Sequence, residues 1–350
     1  MRCLHHPRPL PIRGEDPVTK RFQVVGIGNA MVDVLSHCDD AFLERNGVEK
    51  GIMQLTDMAR GVELYGLIGP ATEMSGGSAA NTIAGIARLG GRTAYVGKVK
   101  DDQLGAIFAH DLRAQGAVYE VPLAPKDHPH ETGRCIILVT PDGERSMNTY
   151  LGVTEHLSPA DIDEAMMADA EWIFLEGYRF DGPESIEAFA KAIAAARGAG
   201  GKVSLTLSDP FCIDRHRDAF SRMLREDVDL LFANRAEITA MYPDADSFDA
   251  ALAAAADEVE TVVCTESEHG AHILSGGQRI HCPAVPTKVV DATGAGDLFA
   301  GAFLWGLAEG YDLETCGAMA NIAGSEVISH LGARIEADLK ARFREHGLKV

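Results

Sequence analysis

The chain has 350 residues, 46% of them apolar, which is enough for one large α/β domain with an appended unit or for two small domains. Its 32 Lys and Arg face 52 Asp and Glu, and the formal charge of −20 disfavours nucleic acid and anionic membrane surfaces as partners. A small-molecule substrate is therefore the expected ligand class.

The cysteines and the N-terminus predict a cytoplasmic protein with reduced thiols. Seven cysteines are scattered without a Cys-x-x-Cys pair, which argues against a disulfide framework and a structural zinc site. No apolar run reaches the roughly 20 residues of a membrane span. Residues 1–20 are rich in Pro, Arg and His and lack the apolar stretch of a signal peptide. We predict that they form a disordered extension.

Short apolar segments alternate with helical ones along most of the chain. Continuous apolar runs are typical of strands covered on both faces of a parallel sheet, and they occur at 22–28, 171–175, 203–207, 229–233 and 261–265. Ala-rich helical segments occur at 182–200, 247–257, 295–309 and 313–331. This alternation predicts an α/β fold with a doubly wound, mostly parallel sheet flanked by helices.

Two stretches, 32–55 and 118–150, break the alternation. The second contains the turn Pro141-Asp142-Gly143, which is typical of a hairpin because Pro fixes φ and Gly accepts a positive φ. We interpret both stretches as strands of a small sheet that acts as a lid. The predicted units are a β lid from 34–55 and 118–150, and a main nucleotide- and substrate-binding domain from 21–33, 56–117 and 151–350.

The most informative motif is Asp-Ala-Thr-Gly-Ala-Gly-Asp, which begins at Asp291 and leads into an apolar helix. The backbone amides of Gly294, Ala295 and Gly296 are expected to converge on an anion at the positive end of the helix dipole. This arrangement suits a phosphoryl group in transit, and Asp297 can accept a proton from an attacking hydroxyl. An Asp that only complements the helix dipole is the simpler alternative, but the length of the motif favours chemistry. The motif is neither a Walker A loop nor a Rossmann fingerprint.

This motif, with the Leu-Phe-Ala-Gly that follows it, resembles the C-terminal signature of the ribokinase-like, phosphofructokinase B-type family of carbohydrate and nucleoside kinases. The resemblance covers about residues 22–335. It implies a ribokinase-like fold with a small β-sheet lid and ATP-dependent phosphorylation of an alcohol. In the family, the last Asp of the motif, here Asp297, is the base, and the preceding amides form the anion hole. The resemblance implies ATP and Mg²⁺ as cofactors and leaves a requirement for K⁺ open.

Two further segments match substrate-binding positions of the family. Adjacent glycines let a ligand approach the backbone closely, and an Asn one helical turn later offers both a donor and an acceptor. By themselves these features indicate only a loop with a helix cap, and a lone Asp after a strand indicates an exposed turn. The resemblance implies that the sugar hydroxyls are held by Asn29, Asp33, Gly76, Gly77, Asn81 and, as in sugar-specific members, Glu176.

The remaining site predictions concern the nucleotide and the metal. Asn234 and Glu237 have the spacing of a helix capping box, and in the family this motif also orders Mg²⁺ and its waters. Arg145 in the lid is placed to neutralise the developing phosphate charge, with a solvent-exposed lid residue as the equal alternative. The resemblance implies that ATP is lined by Thr265, Gly270, Thr293 and Asn321.

The acceptor is the least determined part of the sequence prediction. The strings Ser208-Asp209-Pro210-Phe211 and Arg145-Ser146 are similar to those of nucleoside members, which implies phosphorylation of the 5′-hydroxymethyl of a nucleoside such as adenosine. However, Tyr178-Arg179-Phe180 departs from the Phe pair of animal adenosine kinases. A ribose- or fructose-type sugar kinase and a non-catalytic nucleoside or sugar sensor on the same fold remain alternatives. A monomer and a homodimer are equally compatible with the sequence.

Overall fold

The computed structural model describes residues 19–350, so the prediction for residues 1–18 lies outside the described residues. Lys20, at the end of the predicted extension, donates from Nζ to the carbonyl of Ala170 at 2.8 Å. The strands are β1 (Phe22–Ile27), β2 (Met31–His37), β3 (Met53–Leu55), β4 (Ala71–Gly76), β5 (Thr93–Val96), β6 (Gly133–Val139), β7 (Arg145–Tyr150), β8 (Ala170–Glu176), β9 (Lys202–Thr206), β10 (Leu230–Asn234), β11 (Thr261–Thr265), β12 (Ala271–Ser275) and β13 (Gln278–Cys282).

The helices separate most of these strands. They are α1 (Asp40–Arg45), α2 (Met58–Leu67), α3 (Ser78–Arg88), α4 (Gln103–Ala114), α5 (Glu164–Ala168), α6 (Ser185–Gly198), α7 (Pro210–Glu226), α8 (Arg235–Met241), α9 (Phe248–Glu258), α10 (Ala295–Ala308), α11 (Leu313–Val327) and α12 (Leu339–Glu345). Within residues 19–350, no helix combines the length and the apolar character needed to cross a bilayer.

The large sheet has the order β13-β12-β11-β10-β9-β8-β1-β5. All pairs from β5 to β11 are parallel, and only β12 and β13 add antiparallel strands at one edge. Every residue of β1 is buried, as expected of a strand with helices on both faces. The predicted doubly wound, mostly parallel sheet is confirmed. Because parallel strands share a direction, the carboxyl ends of β1, β8, β9, β10 and β11 meet at one edge.

The second sheet is small and has the order β3-β7-β6-β2-β4. Its hairpin β6–β7 turns at Gly143, whose φ of 84° matches the predicted Pro-Asp-Gly turn. The small sheet differs in three respects from the predicted boundaries of the β lid and the main domain. This sheet begins at Met31 and includes β4, both placed in the main domain from the sequence, whereas residues 118 and 124 form bridges beside the large sheet. The sequence missed β4 because its residues include Thr, Glu and Ser rather than an apolar run. The division into two domains stays a proposal.

Helices α3 and α10 cross closely beneath the carboxyl edge of the large sheet. Two glycines make this possible: a Cβ on Gly85 would lie 2.5 Å from Cδ1 of Leu298, and a Cβ on Gly301 would lie 2.9 Å from the carbonyl oxygen of Thr82. The close approach brings the N-termini of both helices together, so the two motifs found in the sequence meet in space.

Phe303 of α10 lies in the core of this layer, and its truncation should destabilise the protein. Its fully buried ring meets Phe232 edge-on, with centroids 5.6 Å apart, and stacks near Phe299. Phe303→Ala leaves a cavity and should lower the free energy of unfolding by about 3–5 kcal/mol in urea denaturation. Phe211, which is 72% exposed, provides the matched control, and Phe211→Ala should change stability by less than about 0.5 kcal/mol. Equal losses would contradict this packing.

Candidate active site

The glycine-rich turn is built as an anion-binding helix start. Gly294 is the N-cap of α10 with φ 79°, a conformation that favours glycine, and it packs closely on Ala333. The amides of Gly294 and Gly296 have no acceptor within the described part of the chain, and Ala295 reaches only the carbonyl of Ala292 at 3.4 Å. A Cβ on Gly296 would meet nothing within 4 Å, so space remains beside these donors. Donors with open space beside them are the geometry that an incoming anion requires.

Asp297, in the first turn of α10, points at the N-terminus of α3. Its Oδ1 accepts a hydrogen bond from the Ser78 hydroxyl at 2.6 Å, and its Oδ2 accepts one from Nδ2 of Asn81 at 2.8 Å. Across residues 19–350 it forms no ion pair within 4 Å. A carboxylate held by two neutral donors keeps lone pairs for a proton, as a general base requires.

Asn81 contacts protein groups on both sides of its amide. It is buried, it donates to Asp297, and its Oδ1 accepts from Nη1 of Arg334, a residue that the sequence analysis did not identify. Asn81 thus orients Asp297 in this structure, and its role as a substrate ligand stays a prediction. Arg334 was missed because it lies in a loop without a motif.

Asp33 and the two glycines form one packed cluster, which we call the floor. Asp33 on β2 is paired in register with Met74, and a Cβ on Gly76 would lie 2.2 Å from its carboxyl carbon. Gly77 has φ 97°, and a Cβ there would lie 2.1 Å from the carbonyl oxygen of Asn29. The Asp33 side chain forms no hydrogen bond to the described residues, which leaves both oxygens for a ligand. The predicted cluster of Asp33, Gly76 and Gly77 is thus present in space, and its substrate-binding role stays a prediction.

Glu176 lies beneath this floor rather than in it. Only 1% of Glu176 is exposed, and its two oxygens accept from the backbone amides of Asn29 at 3.2 Å and Ala79 at 2.8 Å. In this structure the side chain positions the loop after β1 and the start of α3, and its role as a sugar ligand stays a prediction. The Oδ1 of Asn29 accepts from buried Arg179 at 2.9 Å, a second residue without a sequence signal, and its Nδ2 has no acceptor in residues 19–350.

The lid contacts the glycine-rich motif through Arg145 at the start of β7. Its guanidinium forms an ion pair with buried Asp291 and donates to the hydroxyl of Thr293. Asp291 also accepts from the amides of Thr293 and Gly332, both at 2.7 Å, and so fixes the loop before the helix. Arg145 is therefore a half-buried partner of the motif rather than a solvent-exposed lid residue, and its role toward phosphate charge stays a prediction.

Asn234 and Glu237 form the capping box at the start of α8. The side chain of Asn234 accepts from the Glu237 amide at 2.9 Å, and its own amides donate to the Glu237 carboxylate at 2.6 and 2.9 Å. Asn234 pairs in register with Thr265, so the predicted metal and ATP positions adjoin at the carboxyl edge. A role in holding Mg²⁺ stays a prediction.

Three of the predicted ATP residues, Thr265, Gly270 and Asn321, lie around β12 and its neighbouring strands, whereas Thr293 lies at the glycine-rich motif against Arg145. A Cβ on Gly270 would lie 2.1 Å from the carbonyl oxygen of Cys282, to which Nδ2 of Asn321 donates at 3.0 Å. Nδ2 of Asn321 also contacts the carbonyl of Pro283 at 3.1 Å, so this side chain fixes the strand end and offers only Oδ1 to a ligand. Thr265 lies at the end of the adjacent β11.

Buried carboxylates dominate the electrostatics of the site. Burial raises the pKa of Asp33, Glu176 and Glu237 to about 7 each, and it also raises the pKa of Asp297. The nearby Arg334 guanidinium opposes this rise for Asp33 and Asp297. Groups with pKa values near neutrality, gathered around an anion hole, are typical of an active site.

Comparison with known proteins gives one family and two kinds of relative. The model of the pfkB family carbohydrate kinase matches residues 58–340. A probable sugar kinase protein from Rhizobium etli CFN 42 is 45% identical, with a TM-score of 0.88 over 94% of this chain and 100% of that chain. The adenosine kinase from Sinorhizobium meliloti is 44% identical, with a TM-score of 0.86 over 93% and 99%. A 5-dehydro-2-deoxygluconokinase from Shouchella clausii is 29% identical over 74% of this chain and 81% of the relative.

In the absence of substrate, Asp33→Asn should become more stable relative to the wild type as the pH rises. The pKa of Asp33 in the folded protein exceeds its ordinary 3.8, so the folded state holds the proton between about pH 4 and 7 and loses stability as pH rises through that window. An uncharged Asn avoids this loss. The free energy of unfolding of the variant relative to the wild type should therefore rise, by on the order of 1–3 kcal/mol at about pH 8.

The measurement is urea denaturation from about pH 4 to about pH 8. Asp244→Asn, which removes an exposed carboxylate, is the control for the loss of one charge. A difference between Asp33→Asn and wild type that stays constant over this range would contradict the prediction.

Proposed function

We propose that this chain, which belongs to the pfkB family of carbohydrate kinases, phosphorylates the 5′-hydroxymethyl of a nucleoside, with adenosine as the leading candidate. At the coarser level the chain is an ATP-dependent phosphotransferase with an alcohol group as acceptor. The observation that carries the proposal is the position of Asp297 in the first turn of α10, next to helix-terminal amides without acceptors in the described residues and close enough to Asp33 to raise its pKa.

The proposed reaction is an in-line phosphoryl transfer. Asp297 takes the proton of the 5′-hydroxyl as its oxygen attacks the γ-phosphorus of ATP. A phosphorus–oxygen bond to the acceptor forms, the bond to the β,γ-bridging oxygen breaks, and ADP leaves. The amides of Gly294, Ala295 and Gly296 stabilise the negative charge on the transferring group. Thr265, Gly270, Thr293 and Asn321 are the proposed contacts to the nucleotide.

We assign Arg145 to the same transferring group. Its guanidinium already lies against Asp291 and Thr293, beside the anion hole, so a small movement brings it to a phosphoryl oxygen. An arginine from the lid adds positive charge only when the lid is closed, which couples chemistry to the exclusion of water.

The donor set near Glu237 fits a hydrated Mg²⁺. The carboxylates of Asp209 and Asp297 add to burial in raising the pKa of Glu237. Among the described residues, no group of three His, Cys, Asp or Glu side chains could hold a metal ion directly, so the site suits a cation that keeps several waters and is carried by phosphates. Asn234 and Glu237 would hold Mg²⁺ through its waters, and when bound Mg²⁺ neutralises phosphate charge.

A requirement for K⁺, tested by replacing K⁺ with tetramethylammonium, stays a prediction.

Support for a nucleoside acceptor comes from the carboxyl end of β9. Phe211, at the start of α7, is 72% exposed, and an exposed aromatic ring is suited to stacking on a base. The two oxygens of Asp33 have no hydrogen-bond donor in residues 19–350, and such a carboxylate can accept from two vicinal hydroxyls of a ribose. The 44% identity to an adenosine kinase agrees with this proposal.

A sugar kinase is the second candidate, because the 45% identity to a probable sugar kinase is as high. The same cavity and base would then act on a free sugar. A cytoplasmic location, the absence of nucleic-acid and membrane partners, and a monomeric or homodimeric state stay predictions from the sequence.

A substrate panel separates the two candidates. We expect ADP release to show its highest kcat/KM with adenosine among adenosine, inosine, guanosine, cytidine, ribose and fructose. The kcat/KM of a purine nucleoside should exceed that of both sugars by at least about tenfold. This is the ratio expected when added contacts stabilise the transition state by roughly 1.4 kcal/mol. A higher kcat/KM with ribose or fructose would replace the nucleoside assignment by the sugar one.

Asp297→Asn should abolish most turnover while the fold is kept. The amide preserves the hydrogen bonds of the side chain in part but cannot take a proton, so kcat should fall by about 10²–10⁴-fold. The assay is ADP release at saturating acceptor and ATP, with thermal unfolding as the control for folding. Turnover within about threefold of wild type would remove Asp297 as the base.

A further inference from the structure

Arg334 lies in the loop between α11 and α12, and this loop is fastened to the glycine-rich motif. The amide of Gly332 donates to Oδ2 of Asp291 at 2.7 Å. The Cβ of Ala333 lies only 2.7 Å from the position that a Cβ on Gly294 would take. These contacts fix the backbone two residues before Arg334 and direct its side chain beneath the N-termini of α3 and α10.

The guanidinium of Arg334 links the substrate floor to the base. Its Nη1 donates to Oδ1 of Asn81, and its Nη2 donates to the carbonyl oxygen and the hydroxyl of Ser75, the hydroxyl at 2.6 Å. Asn81 in turn donates from Nδ2 to Oδ2 of Asp297 at 2.8 Å. A continuous chain of hydrogen bonds therefore runs from Arg334 through Asn81 to Asp297.

The direction of this chain is set by Arg334. A guanidinium has donors and no acceptor, so the Asn81 amide must turn its oxygen toward Arg334. Its NH₂ group then faces Asp297 and can only donate. Because a carboxylate accepts and a carboxylic acid also donates, a partner restricted to donating favours the ionised form of Asp297.

We propose that Arg334 is a positioning residue for phosphoryl transfer: it fixes the Asn81 amide as a donor to Asp297 and so keeps the base ionised and correctly oriented. The inference rests on the proposed function, because it takes Asp297 as the base. It adds a residue that no motif of the sequence indicates.

The charges around the chain agree with this role. The Arg334 guanidinium holds the pKa of Asp297 and Asp33 below the values that burial alone would give, and burial lowers the pKa of Arg334 itself. Several titratable groups in addition to Asp297 face the hydrogen bonds that run from Arg334 to Asp297. They are Asp33 on β2, Tyr95 on β5, Asp111 on α4, Glu176 and Tyr178 at the end of β8, and Glu237 on α8. Two further cations lie near, since Arg145 lowers the pKa of Asp33 and Arg179 lowers that of Glu176. Arg334 is the only guanidinium in the described residues that lowers the pKa of Asp297, so its removal leaves Asp297 without a compensating charge.

The test is the pH dependence of ADP release by the full-length chain with its best acceptor from the substrate panel. In Arg334→Met the pKa of the base rises, so the acid limb of kcat should move up by roughly one pH unit, with up to about a tenfold loss of kcat at acidic pH and recovery toward wild type at high pH. Arg334→Lys, which keeps a charged donor, should restore most of the acid limb. Using kcat at saturating acceptor keeps Asp33 covered by substrate.

Matched variants separate this role from a structural one. Arg197→Met removes a half-exposed guanidinium that pairs with Asp229, away from the site, and should leave the profile unchanged. Asn81→Leu should shift the acid limb in the same direction, and the double variant Asn81→Leu/Arg334→Met should shift it by less than the sum. Thermal unfolding verifies that each variant is folded.

Two results would overturn the proposal. The first is a loss in Arg334→Met that is equal at all pH values with an unmoved acid limb, which a merely structural residue would give. The second is additivity in the double variant, which would show that Arg334 does not act through Asn81. Asp297→Asn is assayed in parallel, since high turnover in that variant rejects the base assignment itself, whatever Arg334 does.

Discussion

Several carboxylates are buried together at the carboxyl edge of the large sheet, and each must be compensated without being neutralised. Glu176 is compensated by two backbone amides, which join the loop after β1 to the start of α3. Asp297 is compensated by a serine hydroxyl and an asparagine amide, which leave it able to take a proton. Asp291 is compensated by Arg145 and two amides. A buried carboxylate thus serves to hold the backbone in place, as the proposed base or as a contact to the lid, according to which groups donate hydrogen bonds to it.

The contact between Arg145 and Asp291 connects the small sheet to the chemistry. Asp291 fixes the loop that presents the helix-terminal amides, and Arg145 is carried by the hairpin of the small sheet. Opening of this sheet would remove a positive charge from the anion hole and admit water in the same movement. A kinase gains from this coupling, because phosphoryl transfer to water competes with transfer to the acceptor.

The chain is nearly equally identical to a probable sugar kinase and to an adenosine kinase. This agrees with a site whose reactive groups are shared while the groups that select the acceptor differ. The proposed base, the proposed anion hole and the carboxylates that hold the backbone in place would serve any primary alcohol. Acceptor choice then falls on few side chains at the rim, such as Phe211 at the start of α7, which fold-level similarity does not resolve.

From the sequence alone, the parallel sheet, the Pro-Asp-Gly hairpin and the placement of Asp297 behind a glycine-rich turn could be predicted, because each depends on local periodicity or on the conformations that Gly and Pro allow. Arg334 and the contacts made by Asn81 and Glu176 could not. Their function depends on which atoms meet across more than 90 residues of chain, and that pairing follows from the close crossing of α3 and α10. The sequence determined which groups are available for chemistry, and tertiary packing decided which of them face the substrate and which hold the others in place.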